Sequence, residues 1–177
     1  MAGMNLIQKI MIIFTRVTNM SRKPLTKKQR EEVYNKYLGH CAYCGSKIDY
    51  KDMQVDHFAP YHLFGDNTQL SNLMPACRQC NFRKGTLTIE KFRSELEKTV
   101  DRLRRDNFMF RLAEKYELIS CKNDAKIEFY YEQVNKFLES TKGKDSLDFS
   151  EWELDMYEEL LYSNPNIFNE WYYINTN

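Results

Sequence analysis

Cys41-Ala-Tyr-Cys44 and Cys77-Arg-Gln-Cys80, with Val55-Asp56-His57-Phe58 between them, are the stretches that decide how this chain folds. Two residues between paired cysteines let both thiolates of a knuckle face one ion, and four sulfurs complete the tetrahedral shell of a structural zinc. The thirty-two residues separating the pairs exceed what a compact zinc ribbon needs and leave room for a hairpin and loop. That hairpin carries the only Asp-His pair in the chain. The chemistry is therefore expected inside a metal-stapled module.

Working outward, Gln54 to Phe58 alternates around Val55 and reads as a short strand ended by Pro60. Gly65-Asp-Asn67 signals a turn, Leu73-Met74 a returning strand, and Cys77 to Arg83 a short helix terminated by Gly85. Upstream, Thr26-Lys-Lys-Gln29 has capping-box spacing and opens a helix with an apolar face at Val33, Tyr34, Tyr37 and Leu38, stopped by Gly39. Downstream, Phe92, Leu96, Val100, Leu103, Leu112 and Tyr116 recur at helical steps from Thr88 to about Leu118, with a break near Asp106-Asn107. Ile127, Phe129 and Tyr131 alternate with Glu128 and Tyr130 and suggest a strand. A polar linker follows at residues 141–145, and Ser150 caps a last helix through Trp152, Met156, Leu160 and Leu161. The fold class is α+β, a small metal-stapled core embedded in mainly helical extensions. Three regions follow: an N-terminal extension at 1–25, the core with flanking helices at 26–120, and an acidic C-terminal strand and helix region at 121–177.

The formal charge of +1 over 177 residues hides a segregation. Residues 1–120 hold 21 basic against 13 acidic side chains, and residues 121–177 hold 5 against 12, so the front is +8 and the back −7. A basic front suits a polyanion, because neutralised phosphates release condensed counterions. An acidic back repels the same polyanion, covers the basic face when none is bound, offers a surface to a protein partner, or is plain solvated surface. The short-spaced cysteines argue against a disulfide-stapled secreted domain, and the leftover Cys121 reads as a small buried hydrophobe. Ile10 to Phe14 is too short an apolar run to span a bilayer, so a cytoplasmic protein is expected. Met20 precedes a polar stretch and is a candidate natural start, which would make residues 1–19 a translational extension or a loosely packed helix. The twelve tyrosines and eleven phenylalanines are expected in the core and on partner surfaces rather than as base-stacking platforms.

Hydrolysing a phosphodiester takes an activated water, relief of charge on the transition state and stabilisation of the departing oxygen. An imidazole titrating near neutrality accepts the proton from water, while a carboxylate holds a cation without consuming the base. Adjacent strand residues face opposite sides, so the chain must bend near His57 for both groups to serve one phosphate.

Cys41-Ala-Tyr-Cys44-Gly45, Val55-Asp56-His57-Phe58-Ala-Pro60, Leu70-Ser-Asn72-Leu73 and Cys77-Arg-Gln-Cys80-Asn81-Phe-Arg-Lys84-Gly85, in that order, resemble the HNH endonuclease family with its ββα-metal core. The resemblance spans about residues 38–86 and resembles small bacterial and phage members. It implies His57 as general base, Asp56 as ligand of one catalytic divalent cation, Asn72 as the residue that orients the loop, and Asn81 as the third signature position. Many members carry a second histidine there, so this chain is of the His-Asn-Asn type. An amide oxygen is a harder ligand than imidazole, which favours magnesium or manganese. The resemblance also implies DNA as substrate, expected double-stranded, with 3′-hydroxyl and 5′-phosphate products. Arg78, Arg83 and Lys84 are candidate phosphate contacts, as are Arg102, Arg104, Arg105 and Arg111, although Asp101 and Asp106 permit simple salt bridges. For Lys84 the alternative is a solvated helix-end lysine. Asn72 and Asn81 on their own would be turn or cap residues. His62, a few positions past the proposed base, reads as a surface loop histidine, with a place in the same cleft as the alternative, and His40 is set aside because four sulfurs fill the zinc shell. The competing class is a non-catalytic, zinc-stapled module of phage or host-defence origin that docks nucleic acid or protein.

Overall fold

The computed structural model describes residues 24–60, 63, 68–121 and 126–176. The N-terminal stretch with Met20, His62 and the Gly65-Asp-Asn67 turn lie outside the described residues. Thr26 caps α1 (Lys27–Asn35) reciprocally with Gln29, which satisfies two N–H groups that a helix start leaves without partners. The chain then turns through Leu38 and Gly39 into a small loop, bridged between His40 and Lys47, that carries the first knuckle. At Gly45 the backbone takes φ +73°, and an added Cβ would meet the Tyr130 ring at 2.9 Å, so a side chain fits there neither conformationally nor sterically.

Strands β1 (Gln54–His57) and β2 (Leu73–Ala76) pair antiparallel with Asp56 opposite Met74 and His57 opposite Leu73. Pro75 sits in β2 without cost to the fold because its carbonyl, not an N–H, serves the outer edge: it accepts from Ala42 N at 2.8 Å. That bond lays the first knuckle along β2. The second knuckle begins where β2 ends. Cys77 caps α2 (Arg78–Lys84), which packs back on β1 and stops at Gly85. Helices α3 (Ile89–Glu97), α4 (Thr99–Asp106) and α5 (Phe108–Lys115) follow, with the expected break at Asn107 and a further one at Lys98.

The strand expected at residues 127–131 is not formed. Residues 126–129 form no regular element, with Phe129 extended, and Tyr130 opens α6 (Tyr130–Thr141). The amides of Tyr130 and Tyr131, in the first turn, donate to the carbonyls of Tyr43 at 3.2 Å and Ala42 at 2.8 Å. The knuckle thus takes the place of both a pairing strand and a helix cap. Five alternating residues fit either period, and the continuation Val134, Phe137, Leu138 is helical. Ser150 and Glu153 form the capping box of α7 (Glu151–Ser163), and a helix not foreseen, α8 (Pro165–Thr176), closes the chain. One apolar cluster runs from Val33 through Cys41, Phe92 and Phe129 to Leu160 and Phe168, so residues 26–120 and 121–177 share a core. Among the described residues, no helix is long and apolar enough to cross a membrane.

Candidate functional site

The four knuckle cysteines converge: their sulfurs all lie within 4.8 Å of one another, and those of Cys44 and Cys77 are 3.9 Å apart. A tetrahedral zinc with bonds of about 2.3 Å needs sulfurs about 3.8 Å apart, so the set fits such an ion. The Cys41 thiol is drawn down, first by its hydrogen bond with Cys80, and the same bond pushes the Cys80 thiol up. His40 stands apart for a reason the structure supplies: its Nδ1 lies 3.1 Å from Tyr37 O and its Nε2 3.2 Å from Ser163 Oγ.

Asp56 is buried at the centre of β1, on the side covered by α2. Its Oδ2 lies 2.8 Å from Lys84 Nζ and also accepts from the Tyr43 hydroxyl. The same ammonium donates to the carbonyl oxygen of His57 at 2.7 Å. Lys84 is fully buried, which corrects the expectation of a phosphate-touching or solvated surface lysine. The ion pair explains the difference, because a charge enters the interior only when paired and hydrogen-bonded. Tyr43, a mere spacer between cysteines in the sequence, is pushed well above the ordinary tyrosine value by burial first and by the Asp56 charge next, so it remains a donor.

His57 is the last residue of β1 and half buried, and the chain bends at Phe58–Ala59 directly after it. Asn72 holds that bend. Its Oδ1 accepts from Ala59 N at 2.7 Å, its Nδ2 donates to Ala59 O at 3.3 Å, and its own carbonyl accepts from Phe58 N at 2.8 Å. Asn72 is itself fixed by Lys36, whose ammonium donates to the carbonyls of Leu70 at 2.8 Å and Leu73 at 2.9 Å on either side. Lys36 gives no signal in the sequence, since only folding brings it to residues some thirty-five positions later. Asn81 lies on α2 three residues before Lys84, a spacing that puts both on neighbouring parts of the helix surface.

The expected phosphate contacts divide. Arg78 is exposed, while Arg83 lies 3.7 Å from Glu95, which Arg102 also engages at 2.6 Å. Arg104 pairs with Glu114 at 2.7 Å and Arg105 with Asp106 at 2.7 Å, so the cluster on α4 is largely balanced by acids.

The family description HNH endonuclease matches residues 41–87. That segment is an HNH endonuclease domain. Its limits coincide with the unit just described, from the first knuckle cysteine to just past α2. A CRISPR-associated endonuclease Cas9 from Corynebacterium diphtheriae is 40% identical over 45 residues, and one from Actinomyces naeslundii 41% over 44 residues. Each alignment covers 25% of this chain and 4% of the relative, so the chain spans a small part of those proteins. The crystal structure of the Type II-C Cas9 enzyme from Actinomyces naeslundii aligns with 90% of this chain and 16% of that one, at 17% identity and a TM-score of 0.37, too slight a likeness to bear on the fold.

Proposed function

We propose that the HNH domain makes this chain a metal-dependent endonuclease that hydrolyses DNA phosphodiester bonds. One observation carries it: a single buried ammonium, Lys84 Nζ, joins the Asp56 carboxylate to the His57 backbone. A buried ion pair is a poor route to stability compared with apolar packing. Spending one to lock adjacent acidic and imidazole residues is intelligible if their positions matter.

Four thiolates hold zinc and keep the hairpin against α2. Asp56 and Asn81 hold one divalent cation, magnesium or manganese. Tyr43 and Lys84 both engage Oδ2 of Asp56, which leaves the other carboxylate oxygen as the ligand. When bound, that cation supplies charge relief at the phosphate and the departing oxygen. His57 takes the proton from the attacking water, and Asn72 fixes the bend that sets the direction of the imidazole. The products are 3′-hydroxyl and 5′-phosphate ends. Arg78 and Arg83 meet flanking phosphates, and the acidic C-terminal helices serve a protein partner in the cytoplasm.

The test is nicking of supercoiled plasmid in magnesium, manganese or EDTA. General-base loss is worth roughly 10²- to 10⁴-fold, so His57→Ala should fall by that much while its melting temperature stays put. Cleavage undiminished in His57→Ala would remove the base. Tight DNA binding with no cutting by the wild-type protein in any metal would leave the non-catalytic docking module in its place.

A further inference from the structure

Phe82 is 88% exposed in the middle of α2, the helix that also presents Asn81 and Lys84. A lone apolar side chain at a surface is ordinary, so exposure alone decides nothing. Its surroundings are informative. Successive helix residues rotate by about 100°, which orders the surface of α2 as Lys84, Asn81, Arg78, Phe82 and Gln79. Lys84 is sealed against β1 with Asp56, and Asn81 is half buried beside it. Arg78 and Phe82 come next and are open to solvent. Phe82 therefore stands one side chain beyond the proposed cation site, on the outward flank of the same helix.

Its neighbours on that flank are Arg78, Gln79 and Arg83, all exposed. Arg83 has Glu95 nearby, whereas Arg78 has no carboxylate partner among the described residues. No other exposed large hydrophobic lies on α2, β1 or β2, so these three elements offer no apolar patch around Phe82. An aromatic face amid basic and amide side chains matches a strand of nucleic acid, where arginines take phosphates and the ring takes a base. Base pairs in intact duplex already stack on each other on both faces. Only an unstacked base can use the ring.

We infer that Phe82 is a stacking platform for one unpaired base next to the scissile phosphate, with Arg78 on the adjoining phosphate. The inference rests on the nuclease reading for the position of the phosphate, and it narrows the expected double-stranded DNA to DNA opened at the cleaved step. Substrates with a single-stranded, frayed or branched segment are then preferred over closed duplex.

The experiment uses the His57→Ala background, so that nothing is cut, and compares oligothymidylate with a blunt duplex of equal length. Phe82→Trp should show indole quenching on addition of oligothymidylate, with the signal of Trp152 and Trp171 subtracted by means of the Phe82 protein. Phe82→Ala should lose single-strand affinity by roughly 5- to 150-fold, the range for removing one base–aromatic stack, and the ratio of single-strand to duplex affinity should fall with it. Because the side chain is exposed, both variants should keep their zinc and their melting temperature. Absence of quenching, equal loss on both oligonucleotides, no loss at all, or failure to bind either one would overturn the inference. Plasmid cutting by the protein that retains His57, beside such a result, would leave the nuclease reading standing. Quenching and selective loss in a protein that never cuts would sink the nuclease and keep the platform.

Discussion

Between Cys41 and Gly85 the buried polar side chains bond across elements: Lys84 reaches from α2 to β1, Tyr43 from the knuckle to Asp56, and Asn72 from the return of the hairpin to Ala59. Between Tyr130 and Thr176 the buried polar residues, Thr141, Glu153 and Thr176, bond near home. Thr141 donates to Phe137 O one turn back, Thr176 to Tyr172 O, and Glu153 caps its own helix while Lys144 approaches from the adjoining loop. What joins the C-terminal helices to each other is aromatic: Phe137, Phe149, Tyr157, Phe168 and Tyr172 meet edge-to-face, tilted or stacked at 5.0–6.2 Å between ring centres. Apolar packing tolerates exchange of equivalent volume, whereas a cross-element polar network fixes particular atoms. The first region is built to hold positions, the second to hold mass.

The most severe way to break the first region is to remove its clip. Cys44→Ser should lose bound zinc and cooperative folding of residues 41–87 together. The apparent worth of a structural zinc, about 10 kcal/mol or more in small zinc domains, rivals the whole stability of a domain. Metal content and thermal melting measured on one sample check it, and a folded, zinc-free variant would refute the clip.

Lys84→Met and Phe168→Ala sharpen the contrast because their expected costs are alike. Removing one partner of a buried pair costs about 3–5 kcal/mol, and truncating a buried phenylalanine a similar amount. At a temperature where both variants remain folded, Lys84→Met should lose plasmid nicking and Phe168→Ala should keep it. Equal activity in the two would mean the polar network is only scaffolding.

A smaller effect is expected from Asn72→Ala, which leaves the Ala59 amide without its acceptor at a cost of about 1–3 kcal/mol. Cleavage should fall further than that stability loss explains, because the bend after His57 loosens; the melting curve and the nicking rate read the two separately.

The smallest concerns the capping of α7. Ser150→Ala should cost about 1 kcal/mol by denaturant melting. The Glu153 carboxyl is held down to about 2 by the Ser150 hydroxyl first and Lys144 next, below its ordinary 4.5. A depressed folded value stabilises above the unfolded one, so this contribution is complete above pH 4.5 and is lost as the pH falls toward 2. Glu153→Gln should flatten the acid limb of stability in that window, and an unchanged pH profile would show that the box carries no charge-dependent stability.

Much of this was legible before folding. Capping boxes are local, so Thr26 with Gln29 and Ser150 with Glu153 stood out in the chain, as did the cysteine spacing and the residues of the hairpin. Helix α6 was misread because Ile127, Phe129 and Tyr131 alternate for only five residues, and the two N–H bonds that start the helix go to Ala42 and Tyr43, nearly ninety positions away. Lys84 was misplaced for a related reason: a lysine at a helix end is solvated by default, and nothing adjacent in sequence announces that Asp56 will neutralise it.

The amino-acid order alone determined the metal knuckles, the ββα succession and the residue types at the site, since ligand spacing, strand period and caps act over a few positions. Tertiary structure decided which lysines are interior clamps, that Tyr43 braces Asp56, and that one phenylalanine on α2 faces solvent. Those outcomes depend on which surfaces lose their water together, and desolvation is a property of the assembled fold rather than of any segment of it.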